Sequence, residues 1–500
     1  MKSTVFDSLH PGAGVILQLT LQVVAGYAQA YKFGAEELAC IANCMSSKTN
    51  KSDQSMKITT KLVLATMIAV IAACAAEAEP SVVQTGVTVH DKARAYPCYV
   101  LYSGADGATH LIDMAGTEVH RWPHIGSPSR MLDPALAGGA RGEVGLQLSA
   151  LPANGTGLVP GMPAEFRNKT MGVVDWNDNV LWEWGAQAPG GAARQHHDWQ
   201  RLPNGDTAML VNISRVIPGF GQREMLDDAI YVVNPEGAIV WKWMVSEHLK
   251  EFGFTPAELA LIRQSKEPDY FHTNDMFVLD RNRWDESGDK RFAPGNILIN
   301  SRNGNVAVII DRSTGHVVWR IGPDYSATRS LSFAPKIKTV PRPLDQISGE
   351  HDAYMIPEGR PGAGNILIFD NQGEAGFPPV PLQVVGGSRV IEIDPLEKTI
   401  VWEYSARNSG QADWQFYSPF ISSAERLPNG NTLIDEGING RFFQVTPEGD
   451  IVWEYISPVT GPAPMPPLPG RPLPKSNFTY RVQAVPYDWV PTGTPHTELP

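Results

Sequence analysis

Three histidines, His197, His272 and His351, each head a similar phrase, and Arg302 closes the phrase that His272 opens. A neutral imidazole can attack as a nucleophile, and a protonated one can donate to an oxygen or a leaving group. A guanidinium is permanently charged and offers a planar pair of donors to an oxyanion. Together these groups suit a tetrahedral anion. In transfer of a phosphoryl-like group, negative charge spreads over the equatorial oxygens, so fixed donors around them supply much of the catalysis.

The phrase itself is clearest from Gly349 to Asn371. After His351 come a short strand, a turn at Pro357-Glu358-Gly359, and a second apolar strand, Ile366 to Phe369, that ends in Asp370-Asn371. His197 to Gly205 repeats the histidine and the turn glycine at the same spacing. His272-Thr273-Asn274 opens a third copy with a longer turn, and its second strand, Ile297 to Ser301, leads into Arg302. A fourth copy, Ser422 to Gly430, keeps the turn but has serine in the histidine slot. The hairpin is therefore scaffold, and the histidine is an addition to it.

Past residue 85 a second phrase recurs six times: apolar residues, a turn rich in Asp, Pro and Gly, then apolar residues ending in Trp. The six tryptophans are Trp122, Trp182, Trp241, Trp319, Trp402 and Trp453. Period-2 alternation with a tight turn is a β-hairpin. Two hairpins per repeat make a four-stranded unit, and such units around an axis make a propeller. The expected fold is all-β, a six-bladed β-propeller over residues 85–490, with each Trp packed between neighbouring blades. With strands A to D counted from the axis, the three histidines start strand A of blades 3, 4 and 5 at one mouth of the channel. Asn212, Arg302, Asn371 and Gly437 end strand B at that mouth. Long segments reach the same face: one before His272 with a capping box at Thr255-Pro256-Ala257-Glu258, residues 320–350, and residues 372–388. A Pro-rich run, 462–474, leads to Phe478–Val482, expected to return and close the ring.

The formal charge of −12 over 500 residues, without a basic run, excludes an electrostatic footprint for nucleic acid. Met56 to Lys61 followed by the apolar run Leu62 to Ala73 reads as a secretory signal, too short for a membrane span. Residues 1–55 then read as an upstream extension. Residues 56–79 hold two processing signals: a lipobox ending at Cys74, which would add a lipid anchor, and Ala76-Glu77-Ala78, an ordinary cleavage site. Of four cysteines only Cys98 falls in the repeat region, so packing rather than an internal disulfide must hold the fold.

The histidine-headed hairpins, His272-Thr273-Asn274, Ser301-Arg302, Phe369-Asp370-Asn371 and the run from Phe416-Tyr417-Ser418-Pro419-Phe420 to Gly430 together resemble the arylsulfotransferase family, the bacterial enzymes that need no nucleotide sulfate donor. The resemblance covers roughly residues 90–490. It implies a six-bladed propeller without cofactor that moves a sulfuryl group from a phenolic sulfate to a phenol, ping-pong, through a sulfohistidine. It implies His351 as nucleophile, with Arg302 and His272 around the sulfuryl oxygens and Asn274 nearby. His197 is the third histidine, with His196 as its ambiguous neighbour, and Asn371 joins the substrate-binding set. The chain has no room for the N-terminal β-sandwich of the enteric enzymes and lacks their disulfide, which leaves dimerisation and substrate range open. Two other readings stand beside it. Three histidines could hold a divalent metal for a hydrolase or lyase, although Arg302 argues against a cation there. Asp311 to Trp319 resembles the docking repeats of quinoprotein propellers, which would make the chain a quinone dehydrogenase or a non-catalytic binding propeller, although those propellers usually have eight blades.

If the basic and apolar segments are a processing signal, the mature chain begins between Cys74 and Glu79. N-terminal sequencing of protein from its native host checks this, and a chain retaining residues 1–55 would refute it.

Overall fold

The computed structural model describes residues 84–151, 167–322, 347–373, 386–463, 472 and 474–497. The expected extension, signal and lipobox lie outside the described residues, as do most of the segments 320–350 and 372–388 and of the Pro-rich run.

Six four-stranded antiparallel blades follow one another. From the axis outward, blade 3 is Gln195–Arg201, Thr207–Val216, Glu224–Val233 and Ile239–Met244. Blade 4 is Thr273–Val278, Ile297–Ser301, Val306–Ile310 and Val317–Ile321. Blade 5 is His351–Met355, Ile366–Asp370, Arg389–Asp394 and Thr399–Tyr404. The middle strands are apolar on both faces because each face meets a neighbouring blade. Ile297 and Ile299 pack with blade 3, whereas Leu298 between them packs with blade 5. Six such apolar clusters fill the six gaps between blades, so the core is a ring of interfaces rather than one centre.

Both ends of the chain complete the ring. Tyr480–Val485 supplies the innermost strand of blade 1, inside Tyr99–Ser103, Thr109–Ile112 and Glu118–Trp122. Gly86–His90 adds a fifth, outermost strand to blade 6, beside Ile451–Ile456. The expected return of the C-terminal segment is thus observed, and the N-terminal strand is an addition that the repeat pattern did not show.

The repeated Trp joins each blade to the next through its indole N–H. Trp122 donates to the Asp175 carbonyl, Trp182 to Pro235 and Trp241 to Arg312, each at 3.1 Å. Trp319 donates to Pro395 at 2.7 Å, Trp402 to Pro447 at 2.8 Å, and Trp453 to Met114 at 2.9 Å, which closes the circle. Every acceptor lies in the turn between strands C and D of the following blade. Those turns are held by their own first residue: Asp113, Asp175, Asp311 and Asp394 each accept from the amide two residues on. A net contribution near 1 kcal/mol is typical of one hydrogen bond, and the buried indole would lose more if its donor were left unmet.

At the axis stands Arg481, on the closing strand and fully enclosed. Its guanidinium meets Asp198 Oδ2 at 2.6 Å, Asp275 Oδ1 at 2.9 Å and Asp352 Oδ1 at 3.2 Å, one carboxyl from strand A of each of blades 3, 4 and 5. Arg130, from strand A of blade 2, also meets Asp198, at 2.7 Å. Burial works against an ionised Asp198, but Arg130 and Arg481 outweigh it and hold its pKa low. Burial pushes the Asp275 pKa well above the carboxylate range against the pull of Arg481. Removing one partner of such a buried array costs about 3–5 kcal/mol. Arg481→Met should lower stability by that order, read as a lower urea midpoint, whereas an unchanged midpoint would show that the guanidinium does not tie the blades together.

Candidate active site

Strand A of blades 3, 4 and 5 loses register with strand B at the mouth. In blade 3 Trp199 faces Met209 but Gln195 faces Val211; in blade 4 Asp275 faces Asn300 but Thr273 faces Ser301; in blade 5 Tyr354 faces Leu367 but His351 faces Phe369. Each break is a bulge, which bends the strand and re-aims side chains. His197, His272 and Asp352 have φ of 56°, 53° and 55°. Such left-handed backbone is costly without glycine and persists where the surroundings impose it.

The bulges correct one expectation. Arg481 marks Asp198, Asp275 and Asp352 as equivalent positions, and the residues before them are His197, Asn274 and His351. Asn274, rather than His272, therefore shares the slot of the other two histidines, and His272 lies two residues earlier. The longer A–B turn of blade 4 concealed that shift. His272 still reaches the cluster, with its ring 4.7 Å from that of His197 at 71°.

The partners of His351 determine its tautomer. Nδ1 faces two acceptors, Asn371 Oδ1 at 2.8 Å and the Gly349 carbonyl at 3.0 Å, so Nδ1 carries the proton. The Asn371 amide cannot be reversed, because its Nδ2 donates to the carbonyls of Ser418 at 2.7 Å and Ile421 at 2.9 Å. Nε2 is then the basic nitrogen, and the Ile421 N–H donates to it at 3.1 Å. His351 is 1% exposed. Burial first, then the charge of Arg302, push its pKa well below the usual histidine value; Asn371 works the other way, and His272 and Arg481 add to the depression. It is neutral at physiological pH.

His272 has a carboxylate behind it. Asp269 Oδ2 accepts from His272 Nδ1 in a short hydrogen bond. Burial works to raise the Asp269 pKa, but His272, His196 and Arg302 outweigh it and leave Asp269 ionised. The Arg302 amide donates to the His272 carbonyl at 3.0 Å, so cation and histidine leave the backbone side by side. His197 presents its ring to His272 and to Tyr480, whose centroid is 5.8 Å away. His196 lies behind it: the two Nδ1 atoms are 2.8 Å apart, and His196 Nε2 is 3.6 Å from Asp228 Oδ1. Burial pushes the His196 pKa down to about 3. His197 is thus the neighbour that faces the cluster.

Asn274 and Asn371 are braces. Asn274 is fully buried, accepts from Asn300 Nδ2, and donates to the Glu350 carbonyl at 2.9 Å, which holds the residue before His351. Asn371 uses both ends of its amide to set His351 and the Ser418–Ile421 segment. Among the described residues, the channel histidines do not form a metal-ligand set.

Sequence reading missed Asp269, Arg481 and the Ile421 amide. An Asp three residues before His272 was a legible hint, and so was the Asp after both His197 and His351. The Ile421 contact crosses 70 positions between blades and left no local trace.

The arylsulfotransferase family model matches residues 183–457. The chain belongs to the arylsulfotransferase family. The match runs from strand D of blade 2 to the end of blade 6 and contains His196, His197, His272, Asn274, Arg302, His351 and Asn371. No curated protein matches the chain. Among solved structures it is similar to a protein of unknown function from Bacteroides caccae, at 12% identity over 72% of this chain and 94% of that one, TM-score 0.39. It is also similar to a virginiamycin B lyase from Staphylococcus aureus, at 11% identity over 76% and 91%, TM-score 0.34. A quinohemoprotein alcohol dehydrogenase from Comamonas testosteroni shares 11% identity over 75% and 68%, TM-score 0.31.

Because burial and Arg302 depress the His351 pKa, the ring becomes charged only well below pH 6.5, so a kcat/KM that needs neutral His351 should hold level through neutrality and fall on the acid side. Arg302→Gln removes the largest charge effect on His351 after burial and should move that acid limb to higher pH. An acid limb at the same pH in both proteins would show that His351 does not govern it.

Proposed function

We propose that this member of the family transfers a sulfuryl group from a phenolic sulfate ester to a phenolic acceptor by a ping-pong route through sulfated His351. The observation that carries the reading is the pinned tautomer: two acceptors keep the proton on Nδ1, which leaves the Nε2 lone pair as the nucleophile. Arg302 offsets the sulfate charge and, with His197, donates to its oxygens. Nε2 attacks sulfur, the S–O bond to the aryl group breaks, and the departing phenolate takes a proton from His272, whose imidazolium form Asp269 stabilises. The Nδ1 proton stays with Asn371 and Gly349, so the sulfated ring remains an imidazolium and a good leaving group. An incoming phenol then gives its proton to His272 and its oxygen to sulfur, and the S–N bond breaks. The Ile421 amide must first release the lone pair. Ile421 and Ser422 have φ of 56° and 88°, a strained segment suited to such a shift. Export of the enzyme, with or without a lipid on Cys74, belongs to the same proposal.

His351→Ala should abolish transfer, and Arg302→Ala and His272→Ala should each lose about 10²–10³ in rate, as for lost oxyanion donors. Intact mass after mixing with an aryl sulfate donor alone should show one added sulfuryl group, mapped to the His351 peptide under mild conditions and absent in His351→Ala. No adduct, together with activity abolished by chelator and restored by Zn2+ or Mn2+, would overturn the mechanism in favour of metal chemistry.

A further inference from the structure

Away from the channel, where blade 3 passes into blade 4, His248, Glu251 and His316 turn toward one another, and one ligand atom from each lies within 4.8 Å of the others. We propose that they form a divalent-metal site, whose two imidazoles and one carboxylate suit Zn2+, that clamps the two blades. His248 Nδ1 is 2.9 Å and His316 Nδ1 3.3 Å from the same atom, Glu251 Oε1. Tetrahedral bonds of about 2.0–2.2 Å to nitrogen and oxygen place neighbouring donors roughly 3.3 Å apart, so small side-chain shifts would admit the ion. The metal would replace the ring protons now pointed at the carboxylate.

Each ligand is held by a different element. His248 ends the short helix Val245–His248, and its ring stacks on Trp243, 4.6 Å between centroids at 16°. Trp243 in turn donates to the Gly315 carbonyl at 2.8 Å, next to His316 in the strand C to D turn of blade 4. Glu251 Oε2 accepts from the Val317 N–H at 2.8 Å, which leaves Oε1 facing both rings. An outer hydrogen bond of this kind orients metal-ligating carboxylates. Arg320 Nε donates to the Phe252 carbonyl at 2.6 Å and ties down the segment carrying Glu251. His316 has a side chain 69% exposed, so water can fill the fourth position. With ligands 68 residues apart in the chain, bound metal should stabilise the fold by mass action.

The test is titration of untagged, chelator-stripped full-length protein with ZnCl2 by calorimetry, together with thermal melts. One Zn2+ per chain and a raised Tm are expected. His316→Ala, at an exposed position that should leave the fold intact by circular dichroism, should weaken binding by more than about 100-fold, beyond the loss for an outer-shell change, and should abolish the Tm shift. Glu251→Gln should behave likewise. Co2+ in place of Zn2+ should give tetrahedral visible absorption that His316→Ala lacks. Absence of stoichiometric binding, or equal binding by His316→Ala, would overturn the proposal, the latter by assigning the metal to other ligands. Sulfuryl transfer is the separate readout: it should persist in stripped protein, and its loss on stripping with full recovery in His316→Ala plus Zn2+ would place the functional metal elsewhere.

Discussion

One guanidinium connects closure of the ring to the geometry of the site. Arg481 arrives on the last inner strand and bonds to Asp198, Asp275 and Asp352, and the residue before each carboxyl is His197, Asn274 or His351. These positions of the candidate site are therefore referenced to the axis by a single cation. The neighbouring Tyr480 hydroxyl donates to the His197 carbonyl at 2.8 Å, and Thr479 Oγ1 donates to Asp435 Oδ1 at 2.8 Å. A strand recruited from the far end of the chain thus contacts both sides of the channel. Such an array is weak evidence for net stability, because desolvating charges offsets their attraction. Its clear consequence is register: five inner strands cannot slide past one another without breaking it.

The same crowding of charge sets the protonation of the site. Burial and nearby cations both disfavour a charged His197 or His351, which makes imidazole rather than imidazolium the resting form at the mouth. His272 differs in having Asp269 on its Nδ1. The asymmetry arises from the two-residue displacement of His272 along strand A, which takes it out of line with His197 and His351 and toward the segment that holds Asp269. Repetition built the frame, and its local breakage made the site.

The scaffold manages this with few special devices. Its inner strands are covered on both faces, strands from the two ends of the chain pair the inner edge of blade 1 and the outer edge of blade 6, and a tryptophan at each seam meets the carbonyl of the next turn. Cys98 is buried in the seam between blades 6 and 1, where burial pushes its thiol pKa far up, so it packs as a small apolar residue. No cross-link is needed, because each seam has its own apolar cluster.

Much of this was legible in one dimension. Period-2 runs and turns opened by Asp imposed hairpins, since such runs present side chains to opposite faces and the Asp side chain caps its own turn. Six returns of the Trp phrase dictated six blades, and histidines at strand starts implied a common mouth. Those are local properties, decided by a residue and its near neighbours. What depends on contacts between distant blades was not legible. The sequence could not show that His272 stands two residues off the slot, because register is settled by pairing with strand B and by Arg481. It could not show that Asn274 and Asn371 spend their amides on backbone carbonyls, or that His351 keeps its proton on Nδ1. Tautomer, bulge and protonation follow from which groups other blades bring within about 3 Å, and only the closed ring brings them there.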